Sequence, residues 1–203
     1  LPGYPMHHVV VSNGHFAAAS SGMKISLVGR SSHAAEPEKG INPGFGMAGM
    51  IMAFRDIMKI ERYFRDFVLI TPIHARLGNI AYGTSPGEGV IHLTLRSYRN
   101  DDMDLLKGEL ENLVKNIATR EKLSYEILYE EEFPATINDA GCNKVIEHAA
   151  GELDLGIGTL DQPFKWSEDF GHFTARFPGA LFGLGSGESQ PALHNPDYDF
   201  PDE

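Results

Sequence analysis

The sequence predicts a mixed α/β (α+β) fold built around a ferredoxin-like β-α-β-β-α-β unit. Three observations lead there. Apolar and polar residues alternate over 22–30 and again over 90–97, the period of a half-buried strand. Apolar residues recur at helical spacing over 43–64, directly after the first of those strands. A charged amphipathic run over 101–122 then follows the third strand, and a fourth strand closes the order β-α-β-β-α-β.

Taken in order, residues 1–20 are loop-like with a short β-branched run, Val9, Val10 and Val11. The first strand sets Met23, Ile25 and Leu27 against Lys24 and Ser26. Pro43 suits the first turn of the following helix, whose apolar face reads as Phe45, Met47, Met50, Ile51, Phe54, Ile57 and Met58. Such a face is core. The second strand runs over 67–77, and residues 83–89 form a turn-rich link to the third. In the second helix, Asp101, Asp102 and Asp104 at the start and Arg120 and Lys122 at the end complement the helix dipole. The fourth strand covers 125–129. After residues 133–136 the character changes, which sets a domain boundary near 133. A helix over 139–153 follows, then an apolar, strand-like stretch over 180–184.

The composition narrows the function. The chain has 203 residues, 42% hydrophobic and 22% charged, as in ordinary globular proteins. A net charge of −11 argues against nucleic acid, which needs a basic patch. The single cysteine, Cys142, rules out an internal disulfide framework and suits a reducing compartment, read as the cytoplasm. No apolar stretch approaches the roughly 18 residues that would span a bilayer. Leu1-Pro2-Gly3-Tyr4-Pro5 reads as the middle of a loop and Asp202-Glu203 as a helix opening, so the sequence reads as part of a longer chain.

Two stretches could carry chemistry. Gly29-Arg30-Ser31-Ser32-His33-Ala34-Ala35 is a small-residue turn at a strand end that presents one imidazole, followed by a Pro/Gly-punctuated loop to Pro43. Gly185-Ser186-Gly187-Glu188-Ser189-Gln190-Pro191-Ala192-Leu193-His194-Asn195-Pro196 is a Gly/Ser loop ending in a second histidine. Imidazole is a common metal ligand, but on the residue alone His194 reads as an ordinary loop histidine. Between them, Ser167-Glu168-Asp169-Phe170 reads as a helix start, with Ser167 as cap and acids in the first turn. Gly185-Ser186-Gly187 lacks the spacing of a nucleophile elbow. His7 and His8 form no motif that would make them ligands.

These stretches resemble the dimeric metal-dependent amidohydrolases and metallopeptidases: hippurate hydrolases, aminoacylases, carboxypeptidase G-like and succinyl-diaminopimelate desuccinylase-like enzymes. The resemblance implies three parts. Residues 1–20 connect from a catalytic domain, 21–133 form a ferredoxin-like lid and dimerisation domain, and 134–203 belong to an incomplete α/β metallopeptidase catalytic domain. It makes His33 a catalytic residue that reaches the substrate carbonyl of the partner subunit. It makes His194, followed by Pro196, Asp202 and Glu203, a ligand of one of two divalent ions (Zn or Mn) per complete subunit. Glu168, Asp169 and Arg96 become supporting or substrate-binding residues. The implied reaction is hydrolysis of the amide bond of an N-acyl amino acid or related small molecule in a cytoplasmic homodimer, with no nucleic acid or membrane partner.

The sequence also departs from that family. The histidine expected just before Leu1, the first metal-ligand motif and the Glu-Glu pair are missing. The Asn-Val-Ile-Pro run before the third lid strand is replaced by Thr84-Ser85-Pro86-Gly87. Residues 1–203 alone are therefore expected to be inactive. Three other readings compete: a non-enzymatic dimeric small-molecule-binding module, a ferredoxin-like RNA-binding domain, which the charge opposes, and a hydrolase with a local metal site of Asp169, His172 and His194.

Overall fold

In the computed structural model of the chain, residues 1–59 and 64–201 are described. The chain opens with β1 (Val9–Val11) and β2 (Gly14–Ala17). It continues through β3 (Ala19–Val28), β4 (Ser32–His33), α1 (Gly44–Ile57), β5 (Val68–Leu77), β6 (Thr84–Ser85), β7 (Glu88–Ser97), α2 (Asn100–Arg120) and β8 (Ser124–Phe133). β9 (Thr136–Asn138), α3 (Ala140–Glu152), β10 (Ile157–Thr159), α4 (Gly171–Thr174) and β11 (Gly183–Leu184) complete it. These elements form two compact units, 19–133 and 1–18 with 134–203.

The 19–133 unit is a four-stranded sheet in the order β5-β7-β3-β8, with every neighbouring pair antiparallel. Each helix therefore links strands that are not neighbours, the ferredoxin-like order that the sequence predicts. Met23, Ile25 and Leu27 on β3 and Ile91, Leu93 and Leu95 on β7 are buried on one face. Met47, Met50 and Phe54 of α1 and Leu106, Leu110 and Val114 of α2 are buried as well, at the helical spacing of core-facing stripes. Burying each such side chain is worth roughly 1.5–3 kcal/mol, so this layer dominates the stability of the unit.

Several elements differ from expectation. The first helix ends at Ile57, and residues 60–63 of the predicted 43–64 lie outside the described residues. Phe45, assigned to its apolar face, is 78% exposed, because its position falls outside the stripe through Met47, Met50 and Phe54. Asp102 does more than complement a dipole. It is buried and accepts hydrogen bonds from the backbone of Arg65 at 3.1 Å and Asp66 at 3.0 Å, tying the segment before β5 to α2. Against the expected 22–30, β3 starts earlier and ends at Val28, where Gly29 turns into the following loop, and β8 is longer than the expected 125–129, because their ladder runs from Ser20–Phe133 to Val28–Ser124 with one irregularity.

The second unit contains a three-stranded sheet, β10-β1-β11, and the pair β2-β9. β1 runs parallel to β10 and antiparallel to β11. Residues 1–20, expected to be loop-like, thus supply a central strand, because Val9, Val10 and Val11 are all buried. Phe16, fully buried, meets Phe164 and Trp166 edge to face at 5.4 and 6.0 Å. α3 starts at Asp139, whose side chain accepts from the Cys142 backbone at 2.9 Å. Of the stretch 180–184, only β11 is strand.

Candidate functional site

The first candidate residue, His33, sits at the end of a doubly anchored loop. β3 ends at Val28, and the Gly29 amide donates to the Gly87 carbonyl at 2.8 Å. Arg30 and Ile41 then exchange both backbone hydrogen bonds, at 2.9 and 2.8 Å, closing the loop at its base. Glycine is required at position 29, because a Cβ there would stand 2.0 Å from the Ile41 carbonyl oxygen. The Arg30 guanidinium also donates to the Lys39 carbonyl at 3.0 Å. On the other side β4 pairs antiparallel with β6, setting His33 opposite Thr84, and the Ala34 amide donates to Gly83 at 3.0 Å.

The imidazole itself is exposed. Its Nδ1 accepts a hydrogen bond from the Ala35 backbone amide at 3.1 Å, and the His33 carbonyl accepts from Glu36 at 2.9 Å. An accepting Nδ1 selects the tautomer that carries its proton on Nε2. The ring therefore offers a positioned N–H donor. Beside it, Val28, Gly29, Ser31, Thr84, Pro86 and Gly87 border a cleft of about 430 Å³.

The second candidate, His194, lies in the other unit. The Gly185-Ser186-Gly187 loop is held by the start of the chain. Gly185 donates to His8 at 2.8 Å, Ser186 to Leu1 at 3.0 Å, and Gly3 to Gly187 at 3.0 Å. Gly187 has φ +118°, a conformation that favours glycine. Farther along, His194 is exposed and left-handed, with φ 68°, inside a turn in which the Asn195 amide donates to Ala192 at 3.0 Å. Asn195 Oδ1 accepts from the Asp197 amide at 3.0 Å. Asp202 and Glu203, part of the expected acidic tail, lie outside the described residues.

Glu168 and Asp169 are exposed in the turn before α4. Ser167 is not the helix cap: α4 starts after Phe170, and the backbone carbonyls of Glu168 and Asp169 accept from Gly171 and His172 at 3.4 and 2.9 Å. Arg96 is half-buried on β7, opposite Ser20 and Leu69. Among the described residues no group of three or more His, Cys, Asp or Glu gathers to hold a metal. Ser186, earlier in the stretch that leads to His194, has a hydroxyl buried without a partner among the described residues, but a lone hydroxyl and one imidazole are not a divalent-ion donor set. The described residues therefore do not by themselves fit a metal centre.

Sequence reading missed the polar row Lys24, His92 and His74 on the sheet face away from the helices. Alternation marks each residue as outward-facing, but only the strand register makes them neighbours.

A family model described as peptidase family M20/M25/M40 matches residues 17–203. A Synechocystis sp. (strain PCC 6803) protein described as a probable hydrolase is 28% identical over 203 residues, covering 97% of this chain and 50% of its own length. The YXEP protein of Bacillus subtilis, described as a dinuclear metal-binding peptidase of the M20 family, superposes with a TM-score of 0.76 at 15% identity, over 98% of this chain and 49% of its own. An aminobenzoyl-glutamate utilization protein from Klebsiella pneumoniae superposes with a TM-score of 0.72 at 14% identity, over 91% of this chain and 46% of its own. The chain thus spans about half the length of the relatives it matches. No helix among the described residues is long and apolar enough to cross a membrane.

Proposed function

The chain belongs to the M20/M25/M40 peptidase family of hydrolases, and on that premise we propose that it is the lid-bearing part of a metal-dependent amidohydrolase acting on N-acyl amino acids or related small amides. The 19–133 unit is the lid and dimerisation domain. The 1–18 and 134–203 unit belongs to the catalytic domain and works with metal-binding residues outside this chain. The ions are Zn or Mn, and His194 is the ligand that this chain contributes. Residues 1–203 alone are inactive, since one imidazole cannot hold a catalytic ion.

The observation that carries this reading is the Ala35 amide on His33 Nδ1. It leaves Nε2–H free to donate to the carbonyl oxygen of an amide as negative charge develops there. Such a donor is worth most when it is fixed before the reaction, and the β4–β6 pair fixes the backbone on which it stands. Arg96 supplies a cation for a substrate carboxylate, and Glu168 and Asp169 support the catalytic domain from the turn before α4.

A lid dimer fits the exposed apolar residues of the sheet edge. β5 is an edge strand with Ile73 62% and Leu77 42% exposed. Leu77 packs against Gly44 at the start of α1, where Phe45 follows, so the apolar surface runs from strand to helix. A cytoplasmic location is part of this proposal, and the single cysteine supports it.

The test is His33→Ala in the complete protein that carries these residues, assayed on a panel of N-acyl amino acids. kcat falls roughly 100–1,000-fold while bound metal stays constant. Metal lost in proportion to kcat would remove the donor role, and an absence of amide hydrolysis by the wild type would remove the activity.

A further inference from the structure

Lys24, His92 and His74 stand in one row across three strands, Lys24 opposite His92 and His92 opposite His74. The two imidazoles meet edge to face with ring centroids 5.7 Å apart. The next row holds Ser26, Val90 and Arg76, and beyond it Val28 faces Glu88. Successive side chains alternate across a strand, so these rows lie opposite the buried Met23, Ile25 and Leu27, on the face away from the helices. Together they line a cavity of about 370 Å³.

The cavity is lined by two cations, Lys24 and Arg76, and one carboxylate, Glu88, with His74 and His92 beside Lys24. Lys24 is half-buried, and among the described residues no carboxylate lies within 4.0 Å of its ammonium. Arg76 has one distant partner, Glu88 at 3.9 Å. Glu126 borders the row from β8, opposite Ser26, while Leu128 stands opposite Lys24. Lys24 stands across from His92, and His92 across from His74, so an ammonium and two imidazoles offer N–H donors on one patch of the sheet. A carboxylate seated there accepts from these donors and pairs with the ammonium.

We propose that this cavity binds a small organic carboxylate. The carboxylate lies against the Lys24 ammonium and the His92 and His74 rings, and the carbon skeleton lies against Val28 and Val90. The volume falls in the range of small-molecule sites, and the valine wall suits a carbon skeleton but not a bare inorganic anion. This assignment stands on the 19–133 unit alone and survives if the hydrolase reading fails.

The test is NMR of the whole 203-residue chain labelled at histidine, titrated at constant pH with succinate, with succinamide as a neutral counterpart and with inorganic phosphate. Succinate shifts the His74 and His92 ring signals saturably, succinamide leaves them in place, and His148 on α3 does not respond. Lys24→Met weakens the succinate midpoint at least tenfold, and Lys24→Arg retains it. If Lys24→Met does not fold, as judged by circular dichroism, His92→Asn read through the His74 signal replaces it, with the same tenfold weakening expected. A failure of succinate to saturate, equal affinity in the Lys24→Met or His92→Asn variant, or phosphate binding as tightly as succinate overturns the proposal.

Discussion

Asn138 pairs with the Leu181 backbone through both polar atoms of its side chain. Oδ1 accepts from the Leu181 amide at 2.9 Å, and Nδ2 donates to the Leu181 carbonyl at 2.8 Å. The side chain thus stands where a neighbouring strand would. Nδ2 also reaches the Ser12 carbonyl at 3.1 Å, and Asn143 adds bonds to Ser12 at 2.6 Å and Asn13 at 2.9 Å. Three segments far apart in sequence, around residues 12, 138–143 and 181, are held by these two buried amides.

Removing this amide strands buried backbone groups. Asn138→Ala is expected to destabilise the unit by about 3 kcal/mol, read from urea unfolding. Asn138→Asp should be no better, because a carboxylate keeps the acceptor but turns the Leu181 and Ser12 carbonyls into repulsive neighbours. A loss below about 1 kcal/mol in both variants would show that the network is dispensable.

Gly29 sets the loop that carries His33. A methyl group there collides with the Ile41 carbonyl oxygen, so Gly29→Ala must open the Arg30–Ile41 pair. The expected cost is about 1–3 kcal/mol, the range of overpacking. Amide exchange of Arg30 and Ile41 should rise while that of Leu93 and Leu95 in the sheet stays slow. Unchanged exchange at Arg30 and Ile41 would mean that the loop accommodates the methyl group.

Asp139 gives the second unit an acid-sensitive cap. The hydrogen bond from the Cys142 amide holds its carboxyl below the usual carboxylate range. A group with a depressed folded-state pKa contributes stability above its unfolded pKa, and that contribution is lost as pH falls through the folded value. The melting temperature of the wild type should therefore exceed that of Asp139→Ala above about pH 5, with the difference shrinking as pH falls below about 4. Asp139→Asn, which can still cap, should show a difference from Asp139→Ala that does not vary with pH.

Ile73 probes the proposed dimer. Sedimentation of the wild-type chain should give twice the 22.3 kDa monomer mass, and Ile73→Lys, a charge on the exposed edge strand, should give the monomer. A monomeric wild type would leave Phe45, Ile73 and Leu77 in need of another partner.

Much of the 19–133 unit was legible in the order of residues. Alternation at Met23, Ile25 and Leu27 and helical spacing at Met47, Met50 and Phe54 are local patterns, and each element must bury its apolar side whatever its neighbours are. The other unit was harder to read. Val9, Val10 and Val11 gave too short a run to separate strand from loop, and they become a central strand because β10 and β11, contributed by residues near 157 and 183, pair on either side. Ser167 looked like a cap, but the short helix after Phe170 begins later, where Gly171 approaches the Pro134 carbonyl.

The candidate site divides in the same way. The small-residue loops that present His33 and His194 are legible locally, since turn chemistry is written in adjacent residues, but only the resemblance of those stretches to the metal-dependent amidohydrolases singled out the two imidazoles. The hydrogen bond that leaves Nε2 of His33 as the donor, and the register that brings Lys24, His92 and His74 into one row, came from folding. Cross-strand neighbours depend on pairings between distant segments, and the His33–Ala35 bond, though it joins residues two apart, forms on a loop whose shape the Arg30–Ile41 and β4–β6 pairs set.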